Sequence, residues 1–312
     1  MVGKKMKDKE RKSGSSNLEL RVGPRHSHRA GNHAALNHPV AGNYGRFFST
    51  AAMADVSSNP NSASDTLTLD GIRDSLIRQE NSIVYSLIER ARFPLNRQIY
   101  LQNNASIPGF SGSLVEFIVR ETEAIQAKAG RYENPEENPF FPESLPRPLL
   151  NPHKYPKDLH PSGASINMNK AIWEFYFDKF LPLLVADGDD GNYAATAASD
   201  LACLQALSRR IHCGKYVAEV KFRDAPKEYE TPIRSKERDT LMKLLTFVAV
   251  EEMVKKRVEK KAMVFGQEVT LNNTNEGGKH MIDPSLASRL YSEWVIPLTK
   301  EVEVEYLLRR LE

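Results

Sequence analysis

Two cationic side chains, Arg210 and Lys221, lie eleven residues apart in a segment whose apolar spacing predicts one helix over residues 203–222. Eleven residues are about three helical turns, so both side chains lie on one face, beside the apolar stripe that includes Leu207 and Ile211. Burying two cations there without a negatively charged partner would be costly. The spacing favours a site for a small ligand with several negative charges. The simpler alternative, a solvated arginine and a lysine that extends to water from the helix end, fits the same pattern.

Other charged residues border apolar faces in predicted helices elsewhere in the chain. Arg73 lies within the first two turns of the first predicted helix. Glu251 lies at the start of the penultimate one, where the helix dipole favours a carboxylate. Thr299 and Glu303 are four residues apart in the last helix and share a face. Solvated helix faces would show the same spacing, and spacing alone does not show that these helices meet.

Sequence signatures of other chemistries are absent. The chain has no glycine-rich phosphate motif, no G-x-S-x-G and no H-E-x-x-H. His212 and Cys213 are neighbours, but adjacent helical residues diverge by about 100°, so we expect a structural or surface histidine and no catalytic pair. The two cysteines, Cys203 and Cys213, are too far apart on one helix for a disulfide, and no metal-ligand spacing appears. We therefore expect no metal site and a reducing compartment.

Length, charge and hydropathy limit the class of protein. A chain of 312 residues is long enough for one large domain or two small ones. The net charge is only +3, and the first 54 residues hold ten Lys or Arg and three acidic residues. The remainder is slightly acidic, so we do not expect nucleic-acid binding by the folded part. No apolar run approaches the roughly 18 residues that a transmembrane helix needs, so we expect no membrane span.

Residues 1–65 are predicted to be a disordered basic extension, because they are rich in Lys, Arg, Ser, Asn, Gly and His and lack apolar periodicity. Within them, the acid-poor stretch 21–52 has the composition of an organelle transit peptide. The alternative is an ordinary extension, with Met53 as a second start site. Composition alone does not separate the two. The folded domain is predicted to span residues 66–312.

The rest of the chain has the periodicity of helices, which predicts a single all-α helical-bundle domain. Ser113 and Glu116 have the spacing of a capping box, and Gly130 ends the same helix. Pro297 is expected to kink the last helix. Residues 302–304 alternate like a strand, but the continuation YLLRRLE favours helix. The predicted helices span residues 68–92, 113–130, 167–184, 194–222, 235–245, 250–265 and 284–311, with a proline-rich loop after the second.

Four motifs resemble the eukaryotic, all-helical chorismate mutases of plants and fungi. They read IRDSLIRQENSIVYSLIERARFPLN, GRYENPEENPFFP, DLACLQALSRRIHCGKYVAEVKF and IPLTKEVEVEYLLRRLE, in this order along residues 66–312. This family converts chorismate to prephenate, the committed step toward phenylalanine and tyrosine. The resemblance implies a homodimeric helical isomerase that uses no cofactor and no metal.

The resemblance assigns roles to four charged residues. Arg73 and Arg210 match the arginines that bind the two substrate carboxylates. Lys221 matches the lysine that hydrogen-bonds the ether oxygen of the breaking C–O bond, and Glu303 matches the glutamate on the other side of that oxygen. The family's reaction is a concerted pericyclic shift, so these residues would hold a folded dianion and stabilise charge on the ether oxygen. Glu303 would help only when protonated, because a carboxylate repels that oxygen.

Three further positions concern the substrate. Glu251 matches a glutamate near the ring hydroxyl, and Thr299 matches a residue of the site wall. The third position departs from the fungal pattern, which has an asparagine four residues before Glu251, where this chain has Phe247. One polar substrate contact is therefore lost or supplied from elsewhere.

Regulated members of the family bind tyrosine or tryptophan at the dimer interface. Their effector site uses a Gly-Ser pair at the start of a long helix and a Thr three residues after that Ser. Here these positions are Ala194, Ala195 and Ala198. Arg131 keeps one expected contact, and Gly130 stands where fungal members have an arginine. The resemblance therefore predicts a degenerate effector site and an enzyme insensitive to aromatic amino acids, like the cytosolic plant isoforms.

Several alternatives stay open at this point. Thr196 and Ser199 would preserve an effector site if they substitute from neighbouring positions, as in a regulated plastid isoform. The unregulated pattern and the unpaired thiols favour the cytosol, whereas the basic extension allows a plastid or a mitochondrion. A non-catalytic helical interaction protein would keep the scaffold, but loss of Arg73, Arg210 or Lys221 would then be expected. Spacing alone also permits another enzyme that acts on a small dicarboxylate.

Overall fold

The computed structural model describes residues 67–104, 106–151, 153–267 and 280–312. Within these residues the chain forms helices and turns, and the one strand-like pairing is an isolated antiparallel bridge between Gln267 and His280. The all-α prediction is therefore confirmed. The predicted basic extension, residues 1–65, lies outside the described residues, and the domain boundary at residue 66 stays a prediction.

The helices follow the predicted periodic segments closely, with two π turns, Tyr176–Phe180 and Tyr291–Val295, inside longer helical runs. They are α1 (Leu69–Arg90), α2 (Leu114–Lys128), α3 (Asn169–Phe175), α4 (Leu181–Leu184), α5 (Tyr193–His212), α6 (Gly214–Asp224), α7 (Pro226–Arg234), α8 (Arg238–Leu245), α9 (Val248–Phe265), α10 (Pro284–Leu290) and α11 (Ile296–Arg309). None of the helices in these described ranges has the length and apolar content needed to cross a membrane.

Side-chain caps explain where the first two long helices begin. The Thr68 hydroxyl accepts a hydrogen bond from the Gly71 N–H at 3.2 Å, and the Ser113 hydroxyl accepts one from the Glu116 N–H at 3.2 Å. Half of the predicted capping box is thus present, while the Glu116 carboxylate pairs with Arg120 at 3.0 Å. Beyond α2, Gly130 has a left-handed backbone (φ 86°), as the helix end requires.

The segment predicted as one helix, residues 203–222, is formed by the end of α5 and all but two residues of α6. Cys213 between them keeps a helical backbone, and its N–H donates to the Arg209 carbonyl at 3.0 Å. The two helices therefore continue as one rod. Gly214 lies where this rod meets α11, and a Cβ there would be 2.8 Å from the Thr299 carbonyl oxygen. Only glycine allows the two helices to approach so closely.

Two features of the helical run differ from the predictions. Helix α7 was not predicted, although Pro226 at its first turn is a helix-start signal. The predicted start of the following helix at residue 235 is wrong, because Lys236 has a left-handed backbone (φ 55°) and α8 begins at Arg238. A π turn, Tyr291–Val295, comes directly before the helix that carries Pro297 in its first turn, and the kink expected at Pro297 stays a prediction.

The core joins helices that are far apart in the sequence. Ile83 of α1, Leu204 of α5 and Val302 of α11 belong to one buried apolar cluster, and each is fully buried. Val304 is fully buried in the same helix, which confirms helix at the segment that alternates like a strand. His212 has a structural contact, because its Nε2 accepts a hydrogen bond from the Met168 N–H at 2.8 Å.

A buried ion pair lies inside this core, between the end of α1 and α5. The Arg90 Nε is 2.6 Å from an Asp200 oxygen, and neither side chain is exposed to solvent. The hydroxyls of Tyr100 and Tyr176 donate to the same carboxylate at 2.6 and 2.8 Å. Because the Asp200 charge is surrounded by three donors, it can remain buried without solvent.

Candidate active site

Four segments of the chain enclose a cavity of about 600 Å³. Its walls come from α1, from the α5–α6 rod, from the end of α8 together with the first half of α9, and from α11. All the substrate-site residues predicted from the sequence line this one cavity: Arg73, Arg210, Lys221, Glu251, Thr299 and Glu303. The structure thus brings together residues that spacing alone could not connect.

Arg210 provides a buried cation at the inner wall. Arg210 is only 5% exposed, and its Nη1 donates a hydrogen bond to the Thr299 hydroxyl at 3.3 Å. The Thr299 hydroxyl in turn donates to the Val295 carbonyl at 2.6 Å, which fixes its orientation. The Arg210 Nε has no hydrogen-bond partner among the described residues. The guanidinium therefore keeps donor capacity for a ligand carboxylate.

Lys221 and Glu303 form the second feature of the cavity. The Lys221 Nζ is 3.3 Å from a Glu303 carboxylate oxygen and 3.5 Å from the Leu245 carbonyl oxygen. Burial raises the pKa of Glu303 above its ordinary value of 4.5, although the nearby cations Lys221 and Arg210 oppose the shift. The protonated, hydrogen-bond-donating form of Glu303 therefore persists to higher pH than in an exposed glutamate.

Glu251 is held in place from α11. The Lys300 ammonium lies 3.0 Å from a Glu251 carboxylate oxygen and donates to the Thr246 hydroxyl at 3.3 Å. This lysine ties the start of α9 to the helix that carries Thr299 and Glu303. The position of Glu251 relative to the inner wall is thereby restrained.

Arg73 occupies the outer part of the cavity. Its side chain is 57% exposed, and its Nη1 pairs with Asp70, one turn earlier in α1, at 2.9 Å. An ion pair this exposed contributes little stability and is easily exchanged. Arg73 is therefore available to a ligand anion that enters from solvent.

A buried carboxylate network between α1 and α9 was not predicted from the sequence. Glu80 is fully buried and accepts hydrogen bonds from Arg257 at 2.8 and 2.6 Å and from Lys261 at 2.9 Å. Glu80 lies seven residues after Arg73, two turns along the same face of α1, and that spacing is the signal that could have found it.

The cavity carries an excess of positive charge. Five cations and three carboxyl groups line it, and burial raises the pKa of the Glu303 carboxyl. These groups are Arg73, Arg210, Lys221, Arg257, Lys300, Glu80, Glu251 and Glu303. Such a lining suits a small ligand with two negative charges. Among the residues that the structure describes, no cluster of His, Cys, Asp or Glu could hold a metal ion.

The predicted effector positions lie elsewhere, at the end of α2 and the start of α5. Ala194, Ala195 and Ala198 are exposed in the first turns of α5 and offer no polar side chain. Arg131 follows Gly130 and donates to Glu137 at 3.0 and 2.9 Å. The one arginine expected to contact an effector is therefore already paired within the chain.

The two residues considered as substitutes for an effector site are also engaged. Thr196 is fully buried, and its hydroxyl accepts from the Asn96 amide at 2.8 Å and donates to the Asn192 carbonyl at 2.9 Å. The Ser199 hydroxyl donates to the Ala195 carbonyl at 2.9 Å within the helix. Neither hydroxyl is positioned as a free donor toward solvent.

Comparison with known proteins decides the family. The model of chorismate mutase type II matches residues 192–304. Over 252 residues, 80% of this chain and 95% of the relative, the sequence is 64% identical to chorismate mutase 2 of Arabidopsis thaliana. The chain belongs to the chorismate mutase family. It is also 57% identical over 250 residues to the cytosolic chorismate mutase 2 of Zea mays, covering 80% of this chain and 98% of that one.

Solved structures of chorismate mutases share the fold. The crystal structure of the chloroplast chorismate mutase from Zea mays matches with a TM-score of 0.72 at 52% identity, over 80% of this chain and 98% of that chain. AtCM1, crystallised with tyrosine bound in its allosteric site, matches with a TM-score of 0.73 at 51% identity, over 80% and 99%. The resemblance inferred from the four sequence motifs, and the helical fold it implied, are thereby confirmed.

Proposed function

We propose that this chain converts chorismate to prephenate by an intramolecular pericyclic rearrangement, the step that leads toward phenylalanine and tyrosine. The observation that carries the proposal is the cavity in which Arg210, Lys221 and Glu303 converge in a member of this family. The excess of positive charge around them suits a dicarboxylate substrate. The reaction forms and breaks bonds within one molecule, so the proposal requires no cofactor and no metal.

In the proposed mechanism the two arginines hold the substrate in its reactive shape. Arg210 binds one carboxylate from the buried wall, and Arg73 binds the other from the cavity rim, after exchanging its exposed partner Asp70. Guanidinium groups bind carboxylates through two parallel hydrogen bonds, which restrict orientation as well as position. Fixing both carboxylates of a folded dianion brings its reacting carbons together and removes much of the entropic part of the barrier.

Lys221 and Glu303 act on the ether oxygen, where negative charge develops as the C–O bond breaks. The Lys221 Nζ and a Glu303 carboxyl oxygen are 3.3 Å apart, so one acceptor atom beside this pair, within hydrogen-bond distance of both, would receive a donor from each. The ammonium is a charged donor, and the protonated Glu303 carboxyl is a neutral one. Burial supports this role of Glu303 because it raises the pKa of the carboxyl.

Glu251 and Thr299 complete the proposed site. Glu251 is assigned to the ring hydroxyl, and Lys300 restrains it through the 3.0 Å ion pair. Thr299 is assigned to the wall, where its hydroxyl supports the Arg210 guanidinium at 3.3 Å. These assignments account for each of the six substrate-site residues predicted from the sequence.

The proposal includes an unregulated enzyme that acts as a homodimer in the cytosol. The paired state of Arg131 and the exposed alanines at 194, 195 and 198 support the absence of an effector response. The similarity to the cytosolic chorismate mutase 2 of Zea mays supports the location. A regulated plastid isoform is the alternative, and imaging of residues 1–65 fused to a fluorescent protein distinguishes the two locations.

The test of the proposed function is a turnover assay on the purified full chain. Chorismate loss and prephenate formation are followed by chromatography, with the uncatalysed rearrangement subtracted. Equal molar loss and gain, at a rate proportional to protein concentration, is the expected result. A protein that leaves chorismate at the uncatalysed rate would instead be a helical interaction protein or an enzyme for another dicarboxylate.

A further inference from the structure

The α8–α9 junction, residues 245–251, surrounds the outer side of the Lys221 ammonium. The Leu245 carbonyl oxygen is 3.5 Å from Nζ, and the centre of the Phe247 ring is 5.0 Å from the same atom. Glu303 approaches Nζ from α11 at 3.3 Å. A ring at this distance attracts an ammonium group through the negative face of its π system.

Core packing does not explain the position of this ring. Phe247 is 53% exposed, yet it lines the cavity, whereas its neighbour Val248 is 66% exposed and does not. Burial of an aromatic side chain is the usual source of its stabilising effect, and more than half of this residue remains in contact with solvent. The position of the ring is therefore better accounted for by its contact with the Lys221 ammonium.

The backbone around Phe247 is fixed independently of its side chain. The Phe247 carbonyl accepts from the N–H groups of Val250 and Glu251 at 2.9 and 3.0 Å, as the first turn of α9. The Thr246 hydroxyl donates to the Met242 carbonyl at 2.8 Å and accepts from Lys300 at 3.3 Å. Substitution of the ring should therefore leave the junction in place.

We propose that Phe247 is a positioning residue for Lys221. Its ring holds the Lys221 ammonium beside Glu303 and shields the side of the ammonium that faces away from Glu303 from water. The inference rests on the proposed function, since it assigns Lys221 to the reacting oxygen. The ring would thus act on the substrate through Lys221. Phe247 contributes to the rate of the reaction more than to substrate affinity, because it restrains a donor that matters most in the transition state.

The test compares Phe247→Tyr, Phe247→Leu and Phe247→Ala with the wild-type full chain, with Val248→Ala as the matched control. Phe247→Tyr keeps an aromatic face, so kcat should stay within about twofold of wild type. Phe247→Leu keeps apolar cover without that face, and kcat should fall about threefold to tenfold. In Phe247→Ala, which loses both the ring and the apolar cover, kcat should fall further than in Phe247→Leu. The Michaelis constant and the melting temperature should change little in all four variants.

Several results with these variants or with the wild type would contradict the proposal. A wild-type kcat in Phe247→Leu would overturn the positioning role. A raised Michaelis constant at unchanged kcat would overturn it too, because that result indicates only an apolar contact between the ring and the substrate. A lower kcat together with a lower melting temperature, also present in Phe247→Tyr, would assign the ring a structural role. That result would overturn the positioning role as well. Wild-type protein that does not consume chorismate would refute the proposed function itself, and the inference with it.

Discussion

The Lys221 ammonium lies 3.3 Å from a carboxyl oxygen of Glu303, on helices that are far apart in the sequence and adjacent in the fold. Glu303 is only 5% exposed, and Arg210 lies close enough for its charge to lower the pKa of this carboxyl. A buried carboxyl between cations is held between opposing influences, because desolvation favours its neutral form and the cations favour its charged form. Desolvation has the larger effect here, so the pKa is raised.

Activity should depend on pH through Glu303. Since its folded-state pKa is raised above 4.5, the active protonated form is present at low pH and is lost as pH rises through the raised pKa. We expect kcat to decline over that range in the wild type. Glu303→Gln cannot ionise but still donates an N–H, so its profile should be flat there. A profile that is flat in both proteins would show that the reaction does not depend on a hydrogen bond donated by the protonated Glu303 carboxyl.

Lys221→Ala should abolish most of the catalysis. By analogy with loss of a single oxyanion donor, we expect kcat to fall about 10²- to 10³-fold, or about 3–4 kcal/mol of transition-state stabilisation. Lys260→Ala, an exposed lysine on α9 that does not line the cavity, is the control and should keep wild-type kcat. Near-normal turnover of Lys221→Ala in a folded protein would refute its assignment to the ether oxygen.

Aromatic amino acids should leave the enzyme unaffected. Arg131 is paired with Glu137, and Thr196 is buried against Asn96, so neither is free to bind an amino-acid carboxylate. We expect initial rates at subsaturating chorismate to be unchanged by millimolar tyrosine, phenylalanine or tryptophan. Inhibition or activation by any of the three would mean that residues other than the aligned alanines form an effector site.

Removal of one partner of the buried Arg90–Asp200 pair should destabilise the fold. Arg90→Met leaves the Asp200 charge with only its two tyrosine donors, and we expect a loss of about 3–5 kcal/mol in the free energy of unfolding. Arg92→Met, which removes an ion pair with Glu89 whose side chains are 63% and 61% exposed, should cost about 1 kcal/mol or less. Equal urea midpoints for the two variants would contradict this difference.

Local patterns were enough to predict most helices. Hydrophobic spacing and caps such as Thr68 and Ser113 act within a few residues, so they can be recognised without tertiary structure. Helix α7 was missed because it is short and contains Pro232, which weakens the helical pattern. Tertiary packing compensates for that local cost, and packing is not visible in a single segment.

The candidate site was predictable only in part. The common face of Arg210 and Lys221 follows from helical geometry, but the contact between Lys221 and Glu303 requires α6 and α11 to pack together, and spacing does not specify which helices meet. The family motifs supplied that connection. They did not point to Glu80, and they identified Phe247 only as a departure from the fungal pattern, because the role of each residue depends on partners from another helix.

Gly214 has a consequence for which molecules the enzyme can accept. Because Gly214 lets the α5–α6 rod lie directly against α11, the separation between Arg210 on the rod and Glu303 on α11 is set when the chain folds, before any ligand arrives. The Arg210 guanidinium and the Lys221–Glu303 pair then lie at a fixed spacing, which favours a ligand whose carboxylate and ether oxygen have the same spacing. A ligand in which these two groups are closer together or farther apart can bind at only one of the two positions. Discrimination between related acids would thus be built into the backbone, at a position that has no side chain of its own.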